Sequence, residues 1–146
     1  SAMLTNTGAV IGTKENWEVR AIDVRTNGLG SMVDQIVPRW FGAQACRQQP
    51  NLMSTWKQAL SRCDNHSYAS LCVMLGQTDF RHQKLNNDVQ LVLVGGSDDV
   101  ATPPHSLQQI ADLNNASAPV ILDGIGHVPS VEDPALFSDV ILSHMR

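Results

Sequence analysis

The sequence predicts an α/β fold in which a helical segment precedes two parallel strand–helix units. Four observations carry this. Leu91-Val92-Leu93-Val94 is an apolar run that stops at Gly95-Gly96, the pattern of a strand buried on both faces. A second short run, Val120-Ile121-Leu122, ends at Asp123-Gly124-Ile125-Gly126-His127. The stretch between the two has helical periodicity, so a right-handed crossover puts both strand ends on the same edge of a parallel sheet. Residues 14 to 82, by contrast, show helical spacing and no strand candidate.

Composition sets the frame for these elements. The 146 residues are enough for one domain with its own core, and a hydrophobic fraction of 42% is ordinary for a globular protein. A net charge of −4 without a basic cluster argues against a nucleic-acid partner. No apolar run approaches a membrane span, and no signal-peptide pattern opens the chain, so a cytoplasmic location is expected. Ser1-Ala2 ahead of Met3 reads as an expression scar and is left out of the predicted fold. Cys46, Cys63 and Cys72 are an odd count without metal-ligand spacing. Reduced, unreactive thiols and no metal site are the expectation.

Taken in order, residues 4 to 8 are short and polar, the tail of a core strand. Thr13 is placed to cap a helix carrying Trp17, Ala21 and Val24, and Asn27-Gly28 stops it. A second helix runs from about Leu29 with Met32, Val33, Ile36 and Val37 on one face, until Pro38 ends or kinks it. A third covers about Asn51 to Cys63. A fourth covers about Asn65 to Gly76, with Asn65 as its cap, and Thr78–Arg81 reads as a short helical turn. The strand over 89–94 follows. Pro103-Pro104 then starts a helix with Leu107, Ile110 and Ala111 inward, and Val131 to Met145 is the last helix, with Phe137, Val140 and Ile141 inward. The domain boundaries expected are 4–13 for the strand tail and connection, 14–86 for a helical lid, and 87–146 for the α/β core.

Two parallel strands are too few for a stable sheet. The strand at 89–94 is therefore expected at an unpaired apolar edge, and self-association as a homodimer or swapped oligomer follows from that. The acid turn and the His turn are the chemistry. An acid after one strand and His127 after the next form the acid–base half of a catalytic triad. Spacing alone leaves Asp98 and Asp99 as competing acids, and a turn acid that merely caps the next helix is the plain alternative. His66, His82, His105 and His144 have no such setting and are expected at the surface.

Several motifs resemble the α/β-hydrolase family, and within it the carboxyl-terminal half of the 3-oxoadipate enol-lactonases. Asn6-Thr7-Gly8-Ala9 with Ile11-Gly12-Thr13 is similar to that family's exit from the strand before the lid. Trp17-Glu18-Val19-Arg20, Val37-Pro38-Arg39-Trp40-Phe41, Tyr68-Ala69-Ser70 and Asp79-Phe80-Arg81 are similar to its lid. Gly96-Ser97-Asp98-Asp99-Val100-Ala101-Thr102-Pro103-Pro104 resembles its acid turn, and Gly126 to Pro134 its His turn.

The resemblance selects Asp99 and His127 as catalytic residues. It implies a lactone or ester substrate, no cofactor, and Trp17, Arg20 and Trp40 as substrate-binding residues, with Arg25 and Arg39 as further lid cations. It also implies a serine in Gly-x-Ser-x-Gly, and these 146 residues contain no such pentapeptide. The chain is thus expected to be an incomplete α/β-hydrolase, inactive alone, or a non-enzymatic oligomeric module.

Overall fold

The computed structural model describes residues 1–85 and 88–144. The expected boundary at 86/87 and the helix end at Met145 lie outside the described residues. Three strands, β1 (Ala2–Thr5), β2 (Leu91–Gly96) and β3 (Val120–Leu122), form a parallel sheet in the order β1-β2-β3. Ala2 aligns with Leu91 and Thr5 with Val94, while Val94 aligns with Val120.

This corrects two expectations. Ala2 is part of the sheet, its amide donating to Gln90 O at 2.8 Å, so the fold begins before Leu4. The 89–94 strand starts at Leu91 and is central, not an edge. Among the described residues the sheet's two edges are the outer sides of β1 and β3, and on β1 the alternate peptide groups at Met3 and Thr5 point away from β2.

Two helices cover the sheet, one on each face, as an all-parallel sheet requires. Because side chains alternate along β2, Leu93 faces helix α6 (Pro104–Asn114), where Leu107, Ile110 and Ala111 are buried. Val92 and Val94 face the other way, toward Leu122, Ile125 and the half-buried Phe137 and Val140 of α8 (Pro134–His144). The glycines that end β2 are required by close approach. A Cβ on Gly96 would stand 2.0 Å from Ile125 O, and one on Gly95 would stand 2.5 Å from a Leu107 methyl.

The helical segment builds a second core. Helix α1 (Lys14–Asn27) is capped by Thr13 Oγ1, which accepts from the Asn16 amide, and stopped by Gly28 at φ 79°. It packs on α5 (Asn65–Gln77), where Gly76 lets Trp17 and Lys14 come close. The expected second helix is broken into a 3₁₀ turn (Leu29–Ser31), α2 (Val33–Ile36) and a 3₁₀ turn (Val37–Arg39). Pro38 has no amide to continue a helical ladder. A short helix, α3 (Ala43–Gln48), has no counterpart in the sequence reading, and α4 spans Leu52–Ser61. Val24, Leu29, Val37, Ala69 and Cys72 form the interior of this unit.

Three local expectations also change. Asp64, not Asn65, caps α5 by accepting from the Ser67 amide at 2.7 Å, while Asn65 Oδ1 accepts from the Leu29 amide. Thr78–Arg81 is not helical; the Asp79 and Arg81 side chains pair at 2.6 Å, and the Phe80 amide donates to Ala9 O. The last helix is two helices, α7 (Pro129–Glu132) and α8, parted at Asp133. A residue before proline is driven out of helical conformation, and Asp133 sits at φ −144°, ψ 83°. No residue of α8 is fully buried.

Among the described residues, no helix is long and apolar enough to cross a membrane.

Candidate active site

The acid and the histidine leave the same edge of the sheet and meet. Ser97 N–H donates to Leu122 O and Asp98 N–H to Ile125 O, so the chain after β2 stays alongside the chain after β3. Asp99 then turns inward. Its Oδ1 accepts from the backbone amides of Ala101 (2.9 Å) and Thr102 (2.8 Å), which closes the turn on its own side chain. Its Oδ2 accepts from Thr102 Oγ1 (2.9 Å), Asn6 Nδ2 (3.0 Å) and the His127 ring, whose Nδ1 lies 2.9 Å away. Asp98 instead faces solvent, its carboxylate accepting from Ser97 Oγ. Of the two competing acids, Asp99 is the one that touches His127.

A carboxylate only accepts, so the 2.9 Å contact places a ring proton on Nδ1, and in the neutral ring Nε2 is then the acceptor. Thr102 Oγ1, 3.2 Å from Nδ1, already donates to Asp99 and serves the ring as a second acceptor. Nε2 has no hydrogen-bond partner among the described residues. Asp99 is 2% exposed. Burial pushes its carboxyl up, but the donors from His127, Thr102 and Asn6 outweigh burial and bring it down to about 2.

The helical unit fixes the His turn. His127 N–H donates to Trp40 O at 2.8 Å. One residue earlier, Gly126 N–H donates to the Glu132 carboxylate, whose Oε2 also accepts from Gly42 N–H at 2.7 Å. Glu132 is buried. Its carboxylate thus joins the loop before α3 to the loop carrying His127. A side chain on Gly126 would not fit, since its Cβ would stand 2.6 Å from Gly42 N.

His127 opens into a cleft of about 340 Å³ between the sheet edge and the helices. Trp17, Arg20 and Trp40 line it, as do Asn6, Arg39 and Tyr68. The Arg20 guanidinium lies 4.9 Å from the Trp17 ring centre, within cation–π range. Trp40 packs edge-on against Phe41 and Trp56, which holds it at the cleft wall. Burial pushes the Tyr68 phenol up while Arg20 beside it pulls the other way. Arg39 donates to Val100 O at 3.1 Å, and Arg25, in the last turn of α1, does not line the cleft. The remaining histidines are exposed. Burial pushes the Cys72 thiol up, so it offers no thiolate near neutral pH. No cluster of acids, histidines and cysteines among the described residues is placed to hold a metal ion.

Asn6, Thr102 and Glu132 escaped the sequence reading as site residues. Thr102 stands in Ala-Thr-Pro and Asn6 in a short polar stretch, but nothing local marks either as a donor to the acid. Glu132 lies between Val131 and Asp133 like any turn acid.

The geometry can be set against known proteins. No family model matches the chain. The chain is 26% identical over 144 residues to 3-oxoadipate enol-lactonase 2 of Acinetobacter baylyi, covering 99% of this chain and 54% of that protein. The crystal structure of the enol-lactonase from Burkholderia xenovorans LB400 superposes with a TM-score of 0.85 at 27% identity, over 97% of this chain and 54% of that one. A thermophilic esterase from Thermogutta terrifontis superposes with a TM-score of 0.84 at 21% identity, over 97% and 53%. At that identity the esterase shows the fold alone.

The fold is that of the α/β-hydrolases, present in part: the chain spans about half the length of the proteins it matches. Within that fold, the chain resembles the carboxyl-terminal half of 3-oxoadipate enol-lactonase.

Proposed function

We propose that this chain carries the acid–base half of a carboxylic-ester hydrolase whose whole activity is hydrolysis of 3-oxoadipate enol-lactone. The observation that supports it most is the 2.9 Å contact from Asp99 to His127 Nδ1 beside a tryptophan- and arginine-lined cleft. In this reading His127 Nε2 takes the proton of a serine hydroxyl supplied from outside these 146 residues, as the serine attacks the lactone carbonyl. Asp99 holds the Nδ1 proton and stabilises the imidazolium. The ring returns the proton to the leaving enol oxygen, and water then releases the acyl group by the same route. No cofactor is required. Helices α1–α5 act as the lid. Arg20 holds the substrate carboxylate, and Trp17 and Trp40 form the apolar wall. A cytoplasmic location accompanies this reading.

The chain alone is expected to show no enzymatic turnover of enol-lactone or p-nitrophenyl ester. One missing oxyanion donor costs about 10²–10³ in rate, and here the serine is missing as well. The test is complementation. The chain is mixed with the amino-terminal half of a relative, and both substrates are assayed. Turnover that favours the lactone and falls about 10⁴-fold with His127→Ala supports the reading. Preference for simple esters replaces it with a general esterase. Turnover by the unmixed chain that His127→Ala abolishes sinks the half-site account.

A further inference from the structure

We propose that Asn6 is a positioning residue: its amide ties the three strand ends together and holds the Asp99 carboxylate for His127. This rests on reading Asp99 and His127 as the proton-handling pair. Asn6 directly follows β1, is 8% exposed, and stands in the left-handed region at φ 47°. Its backbone N–H donates to Val94 O of β2 at 3.0 Å. Its side-chain amide donates both to Asp99 Oδ2 and to Gly126 O, each at 3.0 Å. One residue of β1's exit therefore contacts β2, the acid turn and the carbonyl next to His127.

Both side-chain partners are acceptors. Flipping the amide would set its oxygen against a carboxylate and a carbonyl, so only the NH₂ group can face them. The amide oxygen, Oδ1, is buried and has no partner among the described residues. A buried acceptor left unpaired is costly, and the fold tolerates it where the NH₂ end is needed. Without Asn6, Oδ2 of Asp99 is held only by Thr102 Oγ1 and by the ring it orients.

Two variants separate the donor from the backbone. Asn6→Asp keeps the shape and tolerates the left-handed region but offers an acceptor. Asn6→Gly keeps the backbone conformation and removes the side chain. The readout is the His127 Nδ1–H proton signal in the chain labelled with ¹⁵N-histidine, assigned by its loss in His127→Gln. The wild-type chain is expected to show this proton protected from solvent exchange. Both variants are expected to exchange it about tenfold faster, roughly the factor one hydrogen bond to a charged group supplies, with the far-UV circular dichroism unchanged.

Exchange within about twofold of wild type in folded Asn6→Gly overturns the proposal, because one lost bond should exceed that. So does an unprotected proton in wild type. So does loss of the folded spectrum in both variants, since the amide would then serve the fold and not the pair. None of these readouts needs turnover. Faster exchange in the variants together with an inactive complemented enzyme would sink the hydrolase reading and leave this one standing.

Discussion

Asp99 is a buried carboxylate held by five hydrogen bonds. Its carboxyl is held at about 2 against an ordinary 3.8. A depressed folded-state value means that the stabilisation is fully present above about pH 4 and is lost as pH falls through about 2. The difference corresponds to about 2 kcal/mol. Thermal melts at neutral pH and near the bottom of that window should show wild type losing this amount in excess of Asp99→Asn. An equal loss in both proteins would mean that the acid is not held as described. Glu132 works on the same scale. It accepts from two glycine amides in the interior, so Glu132→Gln, which turns one acceptor into a donor, should cost about 1–3 kcal/mol. Urea midpoints would measure it, and an unchanged midpoint would contradict the role.

At the scale of elements, the sheet is thin and its helices are its cover. Leu107 of α6 is fully buried against Leu93. Leu107→Ala should therefore cost about 2–5 kcal/mol by transfer and cavity terms together. The end of β2 has the opposite problem. Gly96→Ala would press a methyl onto Ile125 O at 2.0 Å, a backbone atom that cannot rotate away. A loss at or above the upper end of the usual ~1–3 kcal/mol for overpacking is expected. Chemical denaturation of the two variants side by side reads both effects. A neutral Gly96→Ala would mean that β2 and β3 end farther apart than they do here.

For the whole molecule, the open side of β1 matters most. Beside it runs an apolar groove of about 540 Å³ lined by Leu4, Phe80, Leu91, Ile110 and Leu113, among others. Unpaired strand edges next to apolar surface invite another chain. We propose that the isolated chain self-associates through this edge, as a dimer in the simplest closed arrangement. Sedimentation velocity across a wide concentration range should show a dimer or larger species. The amino-terminal half of a relative, occupying the same edge, should convert it to a one-to-one complex. A monomer at every concentration would remove this account.

The sequence by itself determined what is local or periodic: the β2 run and its glycine stop, the Thr13 cap and Gly28 end of α1, the Pro104 start of α6, and the two turns that supply an acid and His127. These depend on neighbours within a few residues, and the physics is the same in any fold. Tertiary structure alone decided the rest. It extended the expected strand tail back to Ala2, where β2 offers a ladder. It buried Asp99, the acid the resemblance selects, against His127 and left Asp98 exposed. It brought Asn6 to Asp99, 93 residues away, and Glu132 to Gly42, 90 residues away. A buried hydrogen bond depends on which donor and acceptor the fold brings together in space, and nothing in the residues beside either partner records that.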